Sequence, residues 1–330
     1  MAEPLEYRVL RLLSDREFRS GEALARILGV TRATVWNAIR KAEAMGVAVD
    51  RTRGSGYRLA APIGWLDAAE IRRGLGERQR AFVLQIEDEV DSTSSRLLET
   101  SETLPDRYVL ATERQLAGRG RAGRVWHSTI GGGLTFSMLW RFAGGASALG
   151  GASLAVAVAL VRALRGLGIA DVHVKWPNDI VHSGCKLAGI LIELRGDALG
   201  PTDAVIGVGV NVSLPANARQ GIDQPVIDLQ TIAGRVDRNR LLAAILTALD
   251  AVLVQFETSG FTALRDEWTG YHAYHERDVE VTLAGGKRAI GRVRGVGNAG
   301  ELLVEMDGLQ RHYVSGEIRL RSGAGRAATA

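Results

Sequence analysis

The chain has 330 residues, with a hydrophobic fraction of 46% and a charged fraction of 24%, which is ordinary for a globular protein. This length allows two or three domains with separate cores. We find no uninterrupted apolar stretch long enough to span a bilayer and no signal-peptide pattern, so we expect no membrane partner. The single cysteine, Cys185, excludes an internal disulfide framework and favours a cytoplasmic location.

The net charge of +4 is concentrated near the N-terminus. Residues 1–60 carry 11 Lys and Arg against 7 Asp and Glu, whereas the other 270 residues carry 30 of each sign. Basic side chains attract the phosphate backbone of nucleic acids. A nucleic-acid partner is therefore expected to bind the first sixty residues.

Residues 5–60 show the pattern of three short helices followed by a hairpin. Apolar residues at helical spacing, a cap-like Ser20, a break at Gly29 and a second cap at Thr31 delimit the helices. Helix, turn, helix is typical of a helix-turn-helix, and the basic glycine-rich tip over 51–56 indicates a wing. Side chains that could contact bases and phosphates are Thr31, Arg32, Thr34, Asn37, Arg40, Lys41, Arg51 and Arg53. The alternative is a small helical docking module with solvated charges.

After a short linker at 60–64 and a helix over 66–75, strands and helices alternate between about 82 and 270. Alanine-rich residues 149–167 predict a helix buried against a sheet, and a further helix covers 238–258. Strands are predicted at 108–112, 134–140, 172–176, 189–194 and 204–210. This alternation indicates a mixed α/β domain.

The last fifty residues change to short strands separated by glycine-containing turns. Such even spacing predicts a small antiparallel barrel. The small, polar tail 322–330 is expected to be disordered. The strands are predicted at 279–283, 289–296, 302–306, 310–314 and 317–320.

Glycine and arginine alternate over residues 118–124. Glycine lets the backbone approach a ligand, and arginine binds phosphate or carboxylate, so we expect a mobile loop that closes over an anion. The glycines satisfy G-x-G-x-x-G, but a strand at 134–140 follows where a helix is required, and 138–146 contains no acid. A dinucleotide-binding Rossmann domain is therefore excluded, as is a P-loop, whose motif the sequence lacks.

Three further segments place polar residues at strand ends: 175–180, 184–190 and 207–212. Their two lysines and the arginine loop suit nucleotide phosphates. Asp179 and Asn211 offer oxygen atoms to magnesium, which prefers few protein ligands together with phosphate. The combined chemistry favours a nucleotide with a divalent cation.

These motifs, together with Asp91-Ser92-Thr93 and Gln115, resemble the biotin protein ligases. The N-terminal winged helix and the C-terminal residues 315–321 extend the resemblance over nearly the whole chain, to the bifunctional ligases that also repress the biotin operon. The resemblance implies an α+β multidomain fold. Its parts are a winged helix-turn-helix in 1–62, a mixed α/β biotin/lipoate-ligase-like catalytic domain in 65–271, a small SH3-like β-barrel in 272–321 and a disordered tail in 322–330.

The implied activity is that of a biotin–[biotin carboxyl-carrier protein] ligase that uses ATP and Mg²⁺. Biotin and ATP would give biotinyl-5′-AMP, from which biotin passes to a lysine of the carrier domain of acetyl-CoA carboxylase. The adenylate would also act as corepressor, promoting a homodimer on the operator DNA of biotin synthesis genes. Two alternatives remain open, a DNA-binding biotin sensor without ligase activity and a lipoate or octanoate transferase, although the arginine loop argues against the transferase.

The resemblance also implies site residues. Catalysis is assigned to Lys186, Arg121 and Asp179. Biotin binding is assigned to Ser92, Thr93, Gln115, Gly118, Arg119, Gly120, Arg121, Lys186, Gly207 and Gly209. ATP and adenylate binding is assigned to Arg121, Arg124, Trp126, Lys175, Asn178, Asn211 and Arg321. Magnesium is assigned to Asp179 and Asn211. The chain departs from the family at Ser94, where an asparagine is usual, and Ser94 is left unassigned.

Overall fold

The computed structural model describes residues 3–322 apart from 198, 216–217, 220, 283–287 and 315–318. The N-terminal part forms the three expected helices and a hairpin, which share a core of their own. These elements are α1 (Leu5–Leu12), α2 (Gly21–Leu28), α3 (Arg32–Ala44), β1 (Val49–Thr52) and β2 (Gly56–Leu59).

The helix boundaries follow from the caps seen in the sequence. The Ser20 and Thr31 side chains accept hydrogen bonds from backbone N–H groups at the starts of α2 and α3, and Gly29 ends α2 in the left-handed region at φ 68°. The wing differs from the prediction because Arg51 pairs with Tyr57 across the hairpin. The turn between the strands is therefore shorter than the predicted tip at 51–56.

The central part is built on one mixed sheet, whose strand order within the described residues is β3-β4-β5-β9-β8-β7-β6. Strands β3 and β4 run parallel and the other neighbours antiparallel. Its elements are α4 (Ala68–Leu75), β3 (Val83–Val90), α5 (Thr93–Thr100), β4 (Tyr108–Gln115), β5 (Gly133–Phe142), α6 (Ala152–Gly166), β6 (His173–Lys175), β7 (Asp179–His182), β8 (Cys185–Gly196), β9 (Thr202–Asn211), α7 (Leu229–Ala233), α8 (Arg238–Ser259) and α9 (Arg265–Tyr271).

Helices α6 and α8 pack against each other and supply much of the central core. The predicted helix at 149–167 is confirmed as α6, which begins only after Gly151 because that residue adopts a left-handed conformation at φ 82°. By length and composition α8 could cross a membrane, yet half of its most apolar window is buried. It is a core helix in this fold.

The C-terminal strands form an antiparallel sheet ordered β13-β12-β11-β10-β14 within the described residues. Predicted strand residues 283, 317 and 318 lie outside the described part, as do 323–330 of the predicted tail, while Ser322 ends the last strand. The strands are β10 (Asp278–Thr282), β11 (Arg288–Val296), β12 (Leu302–Met306), β13 (Leu309–Tyr313) and β14 (Arg319–Ser322).

The N-terminal domain contacts the edge of the central sheet through α1. The Tyr7 hydroxyl donates to Glu89 Oε2 at 3.3 Å, and the Arg11 guanidinium pairs with Asp88 at 2.5 Å. Ile130, from the segment that leads into β5, is buried in the N-terminal core. The strand that leads into Ser92 is thereby attached to the helix-turn-helix domain.

Candidate active site

A cavity of about 430 Å³ lies beside β4, β5, β8 and β9 and contains most of the predicted site. Strand register explains this, because Gly189, Gly209 and Thr135 stand side by side on three neighbouring strands. The predicted residues that line the cavity are Ser92, Thr93, Gln115, Arg119, Gly120, Arg121, Arg124, Trp126, Asn178, Lys186, Gly207, Gly209 and Asn211.

Four predicted residues are not among those lining this cavity. Gly118 lies directly behind it, with its carbonyl oxygen accepting a hydrogen bond from Trp126 N at 2.9 Å. Lys175 lies with its Nζ 6.0 Å from the ring centroid of Tyr274. Asp179 contacts a lining residue, as described below, and the side chain of Arg321 lies outside the described part of the structure.

The glycine–arginine segment forms a short hairpin. Gly120 N donates to Arg124 O at 2.7 Å, and the chain turns at Ala122 and Gly123, whose φ angles are 54° and 72°. A left-handed conformation costs an L-residue such as alanine about 1–2 kcal/mol. The hairpin places Arg119, Arg121 and Arg124 at the cavity. The sequence predicted a loop for this segment.

The arginines of this hairpin differ in their surroundings. Arg119 pairs with Glu193 at 2.5 Å across the cavity rim. Burial lowers the pKa of Arg121, and the nearby Arg124 charge lowers it further, while Asp179 acts in the opposite direction. The hairpin thus concentrates positive charge where an anionic ligand would neutralise it.

Lys186 points its ammonium group at the largely buried carboxylate of Asp179. Its Nζ lies 2.8 Å from Asp179 Oδ1, and each of the two side chains is only 13% exposed. The same Nζ lies 5.8 Å from the ring of Trp126. Asp179, predicted as a catalytic and magnesium residue, is therefore connected to the cavity through its contact with Lys186.

Glycines on the cavity floor leave room for specific neighbours. A Cβ at Gly209 would lie 2.3 Å from Cε2 of the Trp126 indole, and one at Gly207 would lie 2.5 Å from Ser94 Oγ. Gly189 leaves similar room for the Trp126 ring and the Lys186 ammonium. Because of these close approaches, a side chain at any of the three positions would displace a group that lines the cavity.

Two asparagines keep an oxygen atom available. Asn211 Nδ2 donates to the carbonyl oxygens of Lys186 and Ile227, both at 3.2 Å, and Asn178 Nδ2 donates to Ile190 O at 2.7 Å. Their Oδ1 atoms are acceptors on residues that line the cavity. No group of three or more His, Cys, Asp or Glu side chains suited to a metal occurs among the described residues. The asparagine oxygens could therefore only supplement a cation held mainly by phosphate.

Two residues at the polar end of the cavity, Ser94 and Ser137, were not assigned a role from the sequence; Ser94 lines the cavity and Ser137 lies behind it. Thr93 donates from its N and Oγ1 to Gln115 Oε1, at 2.8 and 3.0 Å, and its hydroxyl also meets Ser137 Oγ at 2.7 Å. Ser94 lies 3.0 Å from Ser137. Ser137 could have been noticed as a hydroxyl within an otherwise buried apolar strand.

The predicted DNA-contacting side chains lie on α3 and the wing. The Thr31 hydroxyl caps α3, Arg51 pairs with Glu43, and Arg40 stacks on Trp36 at 5.0 Å from the ring centroid. Thr34 is half-buried, and the exposed members of the set are Thr31, Arg32, Asn37, Arg40, Lys41, Arg51 and Arg53.

Comparison with known proteins agrees with this arrangement. Residues 88–211 match the model of the biotin/lipoate A/B protein ligase family, and residues 6–58 match an HTH domain. The chain also resembles the biotin protein ligase from Aquifex aeolicus solved with biotin and ATP, with 28% identity and a TM-score of 0.61, covering 72% of this chain and 98% of that one. The chain therefore belongs to the biotin/lipoate protein ligases.

The helix-turn-helix domain places the chain within a narrower group. It is 38% identical to the bifunctional ligase/repressor BirA of Salmonella typhimurium, over 95% of this chain and 97% of that protein. It is 37% identical to the bifunctional ligase/repressor BirA of Escherichia coli, over 96% and 97%. The chain belongs to the bifunctional ligase/repressor family.

Proposed function

We propose that the chain is an ATP-dependent biotin protein ligase that also represses transcription by binding operator DNA. The observation that carries this proposal is a cavity in which a polar end, a largely buried lysine and an arginine hairpin converge. Identity of 38% to a bifunctional ligase/repressor along almost the whole chain supports both halves. A catalytic cavity and a basic helix-turn-helix domain are what the two activities require.

The first chemical step joins two anions. A carboxylate oxygen of biotin attacks the α-phosphorus of ATP, a new P–O bond forms, and the bond to the β-phosphate breaks to release pyrophosphate. Lys186 and Arg121 line the cavity as cations that stabilise the negative charge developing at the α-phosphate. Asp179 contributes by holding the Lys186 ammonium in place at 2.8 Å.

The second step transfers the acyl group. The amine of an acceptor lysine on the biotin carboxyl carrier protein attacks the acyl carbon of biotinyl-5′-AMP, loses a proton, and AMP leaves. Ser92, Thr93 and Gln115 would hold the ureido ring, and Trp126 would pack on the adenine, so that the acyl carbon lies near Lys186. Asn178 and Asn211 would contact phosphate-bound Mg²⁺ through their Oδ1 atoms, with Lys175 and Arg321 adding charge.

The regulatory half of the proposal includes a homodimer. Helix-turn-helix dimers read two half-sites about one helical turn apart, so a dimer matches the geometry of an operator. Biotinyl-5′-AMP would act as corepressor by promoting that dimer. The C-terminal antiparallel sheet would close into an SH3-like barrel, and the single cysteine supports a cytoplasmic location.

Biotin transfer and DNA binding can be tested with one pair of variants. Lys186→Ala should abolish transfer of biotin to a verified carrier domain, whereas Lys41→Ala should leave transfer unchanged. In DNA titrations with biotin and ATP, Lys41→Ala should weaken binding and lower the salt slope by about one. A wild-type protein that forms no biotinyl-5′-AMP would instead be a biotin sensor, and preferential use of lipoate in competition would identify a lipoate transferase.

A further inference from the structure

The closed end of the cavity contains a continuous chain of hydrogen-bonded side chains. Gln115 Oε1 lies 3.0 Å from Thr93 Oγ1, which lies 2.7 Å from Ser137 Oγ, which in turn lies 3.0 Å from Ser94 Oγ. All four residues are at most 7% exposed, and Ser137 is fully buried. The chain is thus shielded from water, and each hydroxyl must be satisfied by its neighbours or by a ligand.

The direction of these hydrogen bonds follows from counting protons. Gln115 Oε1 is an acceptor, so Thr93 must use its single hydroxyl proton to donate to it. Thr93 therefore accepts from Ser137, and Ser137, having donated its only proton, must accept from Ser94. The chain has one orientation, from Ser94 through Ser137 and Thr93 to Gln115.

This orientation decides what the cavity offers to a ligand. Ser94 and Thr93 line the cavity, and their protons are directed away along the chain, so their oxygen atoms present lone pairs. Gln115 contributes its Nε2 amide as a donor. The Ser92 oxygen accepts from Ser95 N at 3.3 Å as the cap of α5, which leaves its hydroxyl proton as a second donor. Acceptors and donors side by side complement a ring in which N–H groups flank a carbonyl.

The position of Ser137 is built into the sheet. Ser137 on β5 pairs with Gly207 on β9, and a Cβ at Gly207 would lie 2.5 Å from Ser94 Oγ and 3.5 Å from Ser137 Oγ. The missing side chain leaves the space in which the two serine hydroxyls meet. Ser137 is not among the residues that line the cavity, so it acts through its neighbours.

We propose that Ser137 is a positioning residue that orients the Ser94 hydroxyl as an acceptor beside Thr93, making the cavity select a cyclic urea with intact N–H groups. This inference rests on the proposed biotin ligase function. Without the Ser137 hydroxyl, Ser94 loses its acceptor and Thr93 loses its donor. The Ser94 proton then turns towards the cavity and meets an N–H group of the ligand, donor against donor.

The test compares two substrates in the full-length protein. Biotin and a cyclic carbamate analogue, in which a ring oxygen replaces one N–H, are each converted to the acyl-adenylate, and pyrophosphate release gives kcat and KM. Wild type should prefer biotin strongly, because a site built for a hydrogen-bond donor rejects the analogue that lacks it. Ser137→Ala should reduce the ratio of kcat/KM values at least about tenfold, through KM for biotin and with KM for ATP unchanged.

A matched control removes an equally buried hydroxyl elsewhere. Ser101 is fully buried and does not line the cavity, so Ser101→Ala should keep the wild-type ratio. The ratio is measured within one preparation, so an inactive fraction cancels. If Ser137→Ala does not fold, Ser94→Ala serves instead and should lower the ratio because it removes one acceptor.

The outcomes separate the two proposals. An unchanged ratio in Ser137→Ala, or an equal loss of kcat for both substrates, would overturn the positioning role. A wild-type protein that activates neither substrate would refute the proposed ligase function, without regard to Ser137. A lowered ratio with a retained kcat for biotin supports the inference.

Discussion

A buried ion pair in the central domain holds the segment that follows the N-terminal domain, and its removal gives the clearest stability prediction. Arg238 Nη2 lies 2.6 Å from Glu113 Oε2, with side-chain exposures of 3% and 0%. The same guanidinium donates to Gly64 O at 2.6 and 3.0 Å and to Gly133 O at 2.9 Å, while Glu113 Oε1 accepts from Leu66 N at 2.6 Å. Gly64, at the end of the predicted linker at 60–64, and Leu66 after it are thus hydrogen-bonded to this ion pair.

The size of the effect follows from what each substitution leaves behind. Arg238→Met leaves the Glu113 carboxylate buried without its cation and removes the guanidinium donors from the carbonyl oxygens of Gly64 and Gly133. Breaking one partner of a buried pair costs about 3–5 kcal/mol of unfolding free energy. Replacing both charges, as in Glu113→Gln with Arg238→Met, removes the uncompensated charge. The double variant should therefore lose less unfolding free energy than the two single variants lose together.

Urea unfolding followed by tryptophan fluorescence would measure this. Trp140 and Trp268 are fully buried in the central core and report its unfolding. The control is the exposed pair between Arg195 and Glu102, with side-chain exposures of 45% and 74%, where Glu102→Gln should cost at most about 1 kcal/mol. Equal costs for Arg238→Met and Glu102→Gln, or strict additivity in the double variant, would refute the reasoning.

Two further predictions concern pH and the cavity floor. Burial, and secondarily the nearby His275, lowers the pKa of His272 to about 3, so the unfolded chain binds this proton below about pH 6.5 while the folded chain does not. Unfolding free energy should therefore fall as pH drops from 6.5 towards 3, and His272→Phe, which can retain the stacking on Trp268, should flatten that dependence in pH-dependent urea titrations. Gly209→Ala should displace Trp126 at a cost of about 1–3 kcal/mol, which should raise KM for ATP roughly tenfold or more. Circular dichroism should show little change in fold. An unchanged KM for ATP would show that Trp126 does not contribute to nucleotide binding.

Elements whose ends are coded locally were predictable from the sequence. Ser20 and Thr31 cap their helices as their sequence positions suggested, since a cap bonds a backbone N–H only two or three residues away. Strand lengths were less predictable. The strand expected at 189–194 extends over Cys185–Gly196, because antiparallel pairing with both neighbours adds residues that have no strand pattern of their own.

The site was predictable as a set of residues but not as a set of contacts. The motifs identified Lys186 and Asp179, yet their 2.8 Å ion pair depends on the β7–β8 register, which the sequence alone does not give. Ser137 was missed because its partners Thr93 and Ser94 lie more than forty positions away in the chain. A lone hydroxyl in a buried strand has no local meaning until its neighbours are placed.

The alternation of glycine and valine along β9 connects the fold to the cavity. Gly207 and Gly209 alternate with Val208 and Val210, and successive residues of a strand face opposite sides of a sheet. The valines are buried in the central core, and both glycines line the cavity, which Val208 also borders. A one-residue shift in register would place valines under Trp126 and Ser94 and glycines in the core. The alternation along β9 therefore buries the valines against the core helices and leaves room for a ligand beside the glycines. The strand register that stabilises the sheet is thus also required for the binding site.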